Sequence, residues 1–210
     1  MKAAIAGGTG FIGTHLISFI EKDDSYENVI VLARKKIELA EKFEVKIGAF
    51  SDQALYEIDV AFCALGTTMA AAGSKDAFYH VDHDLVLEFA QKVKFAGAKK
   101  FVLVSSVGAD ASSSNYYLKV KGQTEEDLKE VGFESLVILR PSMLLGDRKQ
   151  FRFGELVAKA AMSVFNPLLI GATSKYRGIQ GETVARCMHK LAKENLFGVH
   201  ILEYKELQAF

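Results

Sequence analysis

Cysteine is scarce in this chain, with Cys63 and Cys187 the only two. Two isolated thiols exclude a secreted disulfide scaffold and a structural zinc site, which takes about four ligands. A reducing cytoplasm is the expected location. Proline is nearly missing: Pro141 and Pro167 stand alone, so no proline-rich linker divides the chain. Net charge is missing too, with 26 Lys plus Arg against 26 Asp plus Glu. No global field steers such a chain onto nucleic acid or an anionic membrane, and neither is expected as a partner. No run reaches the ~20 apolar residues of a membrane span. At the N-terminus, Ala3-Ala4-Ile5-Ala6 stops at glycines, short of the roughly 7 to 15 apolar residues of a cleavable signal.

What is present is the composition of a folded globule, 50% hydrophobic and 25% charged, far from the disordered corner. A length of 210 residues suits one domain; residues 1–210 are read as a single dinucleotide-binding unit in which 141–210 form a small substrate-side extension. Short apolar runs at 3–6, 29–33, 45–47, 60–65, 101–105 and 136–140 read as buried parallel strands. Helical patterns at 11–20, 35–43, 81–95 and 117–130 fill the crossovers, and 155–164, 183–192 and a strand at 199–202 follow in a tail expected to lid the crevice. Right-handed crossovers then favour an α/β Rossmann fold, a doubly wound parallel sheet of order 3-2-1-4-5-6. Its ligand crevice lies at the carboxyl ends of the central strands, after Ala6, Leu65 and Ser105.

Gly7-Gly8-Thr9-Gly10-Phe11-Ile12-Gly13 occupies the first of those places, between a strand and a helix. Glycines let backbone approach a pyrophosphate, and the helix N-terminus supplies amides and the positive end of its dipole. A nucleoside-triphosphate loop is excluded, because Thr14 and His15 stand where that motif needs Lys and Ser or Thr. After the second strand the chain reads Ala33-Arg34-Lys35-Lys36, with no carboxylate to mark a ribose 2′-hydroxyl. Arg34 offers a planar fork to a 2′-phosphate and Lys35 a second charge, so NADP(H) is expected over NAD(H).

Tyr117 and Lys121 lie four apart at the start of a helix, and no other tyrosine has lysine at that spacing. A phenol titrates near ~10, and a neighbouring ammonium favours its phenolate, so the pair suits proton transfer. Ser105 and Ser106 end the fifth strand; Ser106 is the favoured donor to a substrate carbonyl. The simpler reading, serines bonding local backbone, applies equally to each.

Taken together, Gly7, Gly10, Gly13, Ser105-Ser106, Tyr117 and Lys121 resemble the short-chain dehydrogenase/reductases over nearly the whole chain. The stretches 63–68, 105–110, 117–122 and 139–148 are similar more narrowly to the atypical, Tat-interacting-protein-like, NADPH-binding group of that family. The resemblance implies that Thr9, Gly10, Phe11 and Ile12 wrap the pyrophosphate and that Arg34 and Lys35 take the 2′-phosphate. It also implies Leu65 and Gly66 beside the adenosine ribose and pyrophosphate, Tyr117 and Lys121 at the nicotinamide, and Leu144 and Arg152 closing over the cofactor. One position departs: Asp82 stands where many members place an asparagine that anchors a proton-relay water.

His80 and His83 with Asp82 and Asp84 read as a helix start, with no third convergent ligand, so no metal is expected. Arg140, before Pro141, reads as bonding neighbouring carbonyls, and Cys63 as a small hydrophobe in a strand. The expected function is an NADP(H)-dependent oxidoreductase interconverting a small-molecule carbonyl and an alcohol, monomeric or homodimeric. The alternatives are an NADP(H)-sensing module that engages a protein partner with little turnover, and a nucleotide-sugar epimerase or dehydratase.

Overall fold

The computed structural model of the protein describes residues 1–146 and 171–210. Six strands arise from the apolar runs: β1 (Lys2–Ala6), β2 (Asn28–Ala33), β3 (Phe43–Ile47), β4 (Val60–Cys63), β5 (Lys100–Val104) and β6 (Ser135–Leu139). After two short strands, β7 (Leu144–Leu145) and β8 (Ile179–Gln180), comes β9 (Gly198–Leu202). All neighbours in the main sheet run parallel, in the order β3-β2-β1-β4-β5-β6-β9. This is the doubly wound Rossmann arrangement, with a seventh strand added beside β6.

Alternation along the strands divides the core in two. Ala3 and Ile5 face a cluster with Leu16, Phe62, Val102 and Met188, while Ala4 and Ala6 face Phe89, Phe101, Leu128 and Ile138 on the other side. The helices are α1 (Phe11–Glu21), α2 (Met69–Ala72), α3 (Lys75–Tyr79), α4 (Leu85–Phe95), α5 (Tyr116–Glu130), α6 (Gly181–Leu191) and α7 (Tyr204–Gln208). Between α3 and α4 the chain makes a π turn at His80–Asp84.

Two expectations need correction. Residues 35–43 form no helix; the chain crosses irregularly and β3 already begins at Phe43. Ile37 and Leu39, half-buried against the core, are two apart, the spacing of extended chain rather than of a helical face. The fourth strand stops at Cys63 rather than Leu65, because the chain there leaves the sheet towards the crevice. In the C-terminal region, β9 pairs with β6 and α6 contributes Val184, Ala185 and Met188 to the core that α1 also covers. The β7–β8 pair lies beside α1, where both Gly146 and Gly181 meet the Phe11 ring.

Candidate active site at the carboxyl edge of the sheet

The glycine turn is built by backbone-to-backbone contact. Gly7 sits at φ +83°, and a Cβ there would lie 2.5 Å from the Ala64 carbonyl carbon; at Gly13 it would lie 2.1 Å from the Gly7 oxygen. The turn, the end of β4 and the first turn of α1 therefore pack with no room for side chains. Gly10 is the N-cap of α1 and offers no side chain to cap it, and the first turn holds no acidic residue. That leaves the positive end of the helix dipole uncompensated by a carboxylate. Thr9 and Gly10 are exposed, Ile12 and Gly13 buried. The Phe11 ring packs against Gly146 and Gly181 and edge-on to His15, 5.5 Å between centroids. What Phe11 offers a ligand is backbone.

Arg34 and Lys35, just beyond β2, are exposed, and neither is paired with a carboxylate among the described residues. Leu65 is half-buried and Gly66 exposed, both just beyond β4. A Cβ on Gly66 would stand 3.4 Å from Asp82 Oδ1 and 3.6 Å from Lys121 Nζ. The strand end thus lies directly against the predicted lysine.

Tyr117 and Lys121 sit on one face of α5, whose start is capped by Asn115 Oδ1 accepting the Leu118 N–H at 3.2 Å. Tyr117 is half-buried, its ring 5.6 Å from that of Phe78. Lys121 is buried, with Nζ 2.8 Å from Oδ1 of the fully buried Asp82. The other Asp82 oxygen accepts the Thr67 N–H at 2.8 Å, and Thr124 Oγ1 donates to the Asp82 carbonyl at 2.9 Å. Burial alone would lower the Lys121 pKa, but the Asp82 carboxylate, and then Tyr117, outweigh it and hold it above its ordinary value.

The two serines part company. Ser105 is buried and its hydroxyl donates to Glu125 Oε1 at 2.5 Å. Glu125 is itself fully buried on α5 and accepts from Arg140, Nε to Oε1 at 3.0 Å and Nη2 to Oε2 at 2.5 Å. Arg140 therefore bonds a carboxylate, not the loop carbonyls expected of it. The Nε and Nη2 edge of its guanidinium is thereby committed to Glu125. Ser106 is half-buried, and among the described residues its hydroxyl makes only a long 3.4 Å contact with the Val107 carbonyl. It retains the capacity to donate elsewhere.

Leu144 lies half-buried in β7, opposite Ile179 of β8. Arg152 and the helix expected at 155–164 lie outside the described residues. His83 is held between Asp84 and Asp127, at 2.9 and 2.8 Å, and stacks on Tyr79. Among the described residues no group of three or more His, Cys, Asp or Glu is arranged to hold a metal ion. Cys63 is fully buried, and burial pushes its thiol up to about 12. The sequence reading missed the Asp82–Lys121 pair and the Ser105–Glu125–Arg140 network. One signal was available for the second: Glu125 follows Lys121 by another four residues, on the face that α5 turns inward.

Comparison with known proteins adds relatives to this geometry. The model of the HIM1 family matches residues 27–176. "Protein FMP52, mitochondrial" of Debaryomyces hansenii is 32% identical over 207 residues, covering 93% of this chain and 89% of that protein. "Protein FMP52-1, mitochondrial" of Scheffersomyces stipitis is 38% identical over 157 residues, covering 71% and 70%. "Protein HTATIP2" of Rattus norvegicus is 39% identical over 166 residues, covering 74% and 67%. Among solved structures, the UDP-Glc/GlcNAc 4-epimerase of Campylobacter jejuni superposes with TM-score 0.71 at 18% identity, covering 98% of this chain and 81% of its own. The human epimerase family protein SDR39U1, solved with NADPH, superposes with TM-score 0.65 at 17% identity, covering 96% and 73%. At such identities the likeness is one of fold. The fungal relatives also overturn the expectation of a cytoplasmic location, since they are named mitochondrial proteins. Few cysteines report a reducing environment, which does not single out the cytoplasm.

Proposed function

The chain belongs to the HIM1 family, and from that premise we propose that it is an NADP(H)-dependent oxidoreductase interconverting a small carbonyl compound and its alcohol. One observation carries the reading: Tyr117 and the buried ammonium of Lys121 share one face of α5, and Lys121 lies against Gly66 at the end of β4, whose backbone touches the glycine turn. The residues fit the dinucleotide. A Cβ at Gly7 or Gly13 would fill the cradle, and α1 begins without an acidic residue. Thr9, Gly10, Phe11, Ile12 and Gly13 would hold the pyrophosphate, and Arg34 and Lys35 the 2′-phosphate. Leu65 and Gly66 would flank the adenosine side, and Leu144 and Arg152 would close the far side, within the substrate-side extension 141–210.

When bound, NADPH supplies the hydride that a carbonyl carbon accepts. The protein's part is electrostatic and protonic. Ser106 Oγ donates to the carbonyl oxygen, polarising the bond and stabilising the developing alkoxide. Tyr117 passes its phenolic proton to that oxygen, giving the alcohol, and regains a proton from solvent. Lys121 would hold the nicotinamide-side ribose, and it keeps positive charge beside the phenol.

A second reading, a dinucleotide-sensing module that reports to a protein partner, is favoured by Asp82: its carboxylate compensates the Lys121 charge at 2.8 Å and leaves less of it to act in chemistry. Both readings are tested by titrating NADPH and NADH and following NADPH oxidation over a panel of carbonyl compounds. Turnover that Tyr117→Phe removes supports the enzyme. Tight NADPH binding with no oxidation by any carbonyl supports the sensor, and unchanged turnover in Tyr117→Phe removes the proposed mechanism. Cell fractionation against mitochondrial markers tests whether the location of the fungal relatives holds for this protein.

A further inference from the structure

Asp82 is one of two carboxylates with 0% exposure among the described residues, the other being Glu125. Burying a carboxylate is costly unless it is paired and bonded, and three groups from two elements hold Asp82. The Thr67 N–H, beyond β4, bonds one oxygen; Lys121 of α5 lies 2.8 Å from the other; and Thr124 grips the Asp82 carbonyl. The π turn that carries Asp82 is an uncommon element that recurs at functional sites. Lys121 in turn has 6% of its surface exposed. An ammonium so buried tends to shed its proton when no anion compensates it.

We propose that Asp82 is a positioning residue, a fixed counter-ion that keeps Lys121 an ammonium and holds it against Gly66, ready for the cofactor before any cofactor arrives. The proposal rests on the reading of Lys121 as the group that meets the dinucleotide. Among the described residues three groups act on Lys121: Asp82 from the π turn, Cys63 from β4 and Tyr117 from its own helix. The Cys63 thiol, pushed up to about 12 by burial, stays neutral at physiological pH. Asp82 is the compensating anion. An asparagine in its place would preserve the acceptor for Thr67 and abolish the charge.

The test is Asp82→Asn, studied first without cofactor by urea unfolding from pH 6.5 to 9.5. In the native protein Lys121 is protonated both folded and unfolded across this window and adds no slope. In the variant the folded lysine falls below its unfolded value near ~10.4, so the unfolded chain binds the extra proton and stability rises with pH. Relative to the native protein, the unfolding constant should fall by up to about tenfold per pH unit. Adding Lys121→Met to the variant should abolish that slope. Should Asp82→Asn not fold, Lys121→Met alone gives the mirror image. The Asp82 carboxylate would be left buried without its counter-charge, and stability would fall as pH rises from 4.5 to 7.5.

NADPH titration then supplies the functional arm. Affinity of Asp82→Asn should drop about tenfold or more between pH 6.5 and 9.5, against no such loss in the native protein. An Asp82→Asn protein whose unfolding follows the native pH dependence overturns the proposal, as does a Lys121→Met protein with no loss of stability between pH 4.5 and 7.5. A native protein that binds no NADPH defeats the proposed function instead and leaves the unfolding data to judge Asp82.

Discussion

Arg140→Ala is the substitution whose cost follows most directly from the structure. Glu125 has 1% side-chain exposure, and Arg140 supplies its fork from the end of β6 with 20% exposure of its own. Without the guanidinium, the carboxylate would keep, among the described residues, the Ser105 hydroxyl alone. Removing one partner of a buried pair costs about 3 to 5 kcal/mol, because the other charge is stranded. In a domain of this size each kcal/mol moves the melting temperature by roughly 2 to 4 °C, so a fall of about 6 to 20 °C is expected. Replacing both partners by apolar residues, Glu125→Leu with Arg140→Met, removes the stranded charge and should cost less than Arg140→Ala alone. Urea denaturation followed by circular dichroism measures all the variants; an unchanged m value would show that stability, not denatured-state compactness, has changed. A loss below about 1 kcal/mol for Arg140→Ala, or a double variant less stable than Arg140→Ala, would refute the reasoning.

Gly13→Ala places a methyl 2.1 Å from the Gly7 oxygen, a clash with backbone that costs about 1 to 3 kcal/mol; NADPH titration should show at least a tenfold loss of affinity. Arg34→Ala leaves the fold intact, since the side chain is exposed, and should reduce the ratio of NADPH to NADH affinity by about tenfold, the scale of one charge-assisted fork. Asp23 tests a pH dependence. Burial raises its carboxyl pKa, but Lys193, Ser25 and His189 together outweigh it and hold the group well below the usual carboxylate range. Its stabilisation is therefore complete above the unfolded value near ~3.9 and is lost as pH falls through the lower folded value. The stability gap between native protein and Asp23→Asn, measured by thermal unfolding, should be full at pH 7 and shrink below about pH 4.

How far the fold was legible depended on what each segment had to bury. Strands sealed on both faces announce themselves as apolar runs, and β1, β2, β5 and β6 were readable to within a residue of their bounds. The 35–43 segment misled because its charges suggested a solvated helix, while Ile37 and Leu39 carried the spacing of extended chain. The π turn at His80–Asp84 has no periodicity of its own, so helix 81–95 read as continuous and the inward rotation of Asp82 went unseen. Ser105 and Ser106 illustrate the same limit at the site. Their order in the chain is plain, but only the fold brings Glu125 to Ser105 and leaves the hydroxyl of Ser106 its long contact with Val107. The glycine turn was legible for the opposite reason, since its function depends on backbone and on the absence of side chains.

A crystal structure of the protein grown with NADPH would test the placement of cofactor and catalytic groups most directly. The account predicts the pyrophosphate on the backbone amides at the start of α1, the 2′-phosphate on Arg34, and Lys121 Nζ within hydrogen-bond distance of the nicotinamide ribose with Tyr117 beside the ring. A dinucleotide bound elsewhere on the sheet, or one whose nicotinamide lies out of reach of both Tyr117 and Lys121, would contradict it.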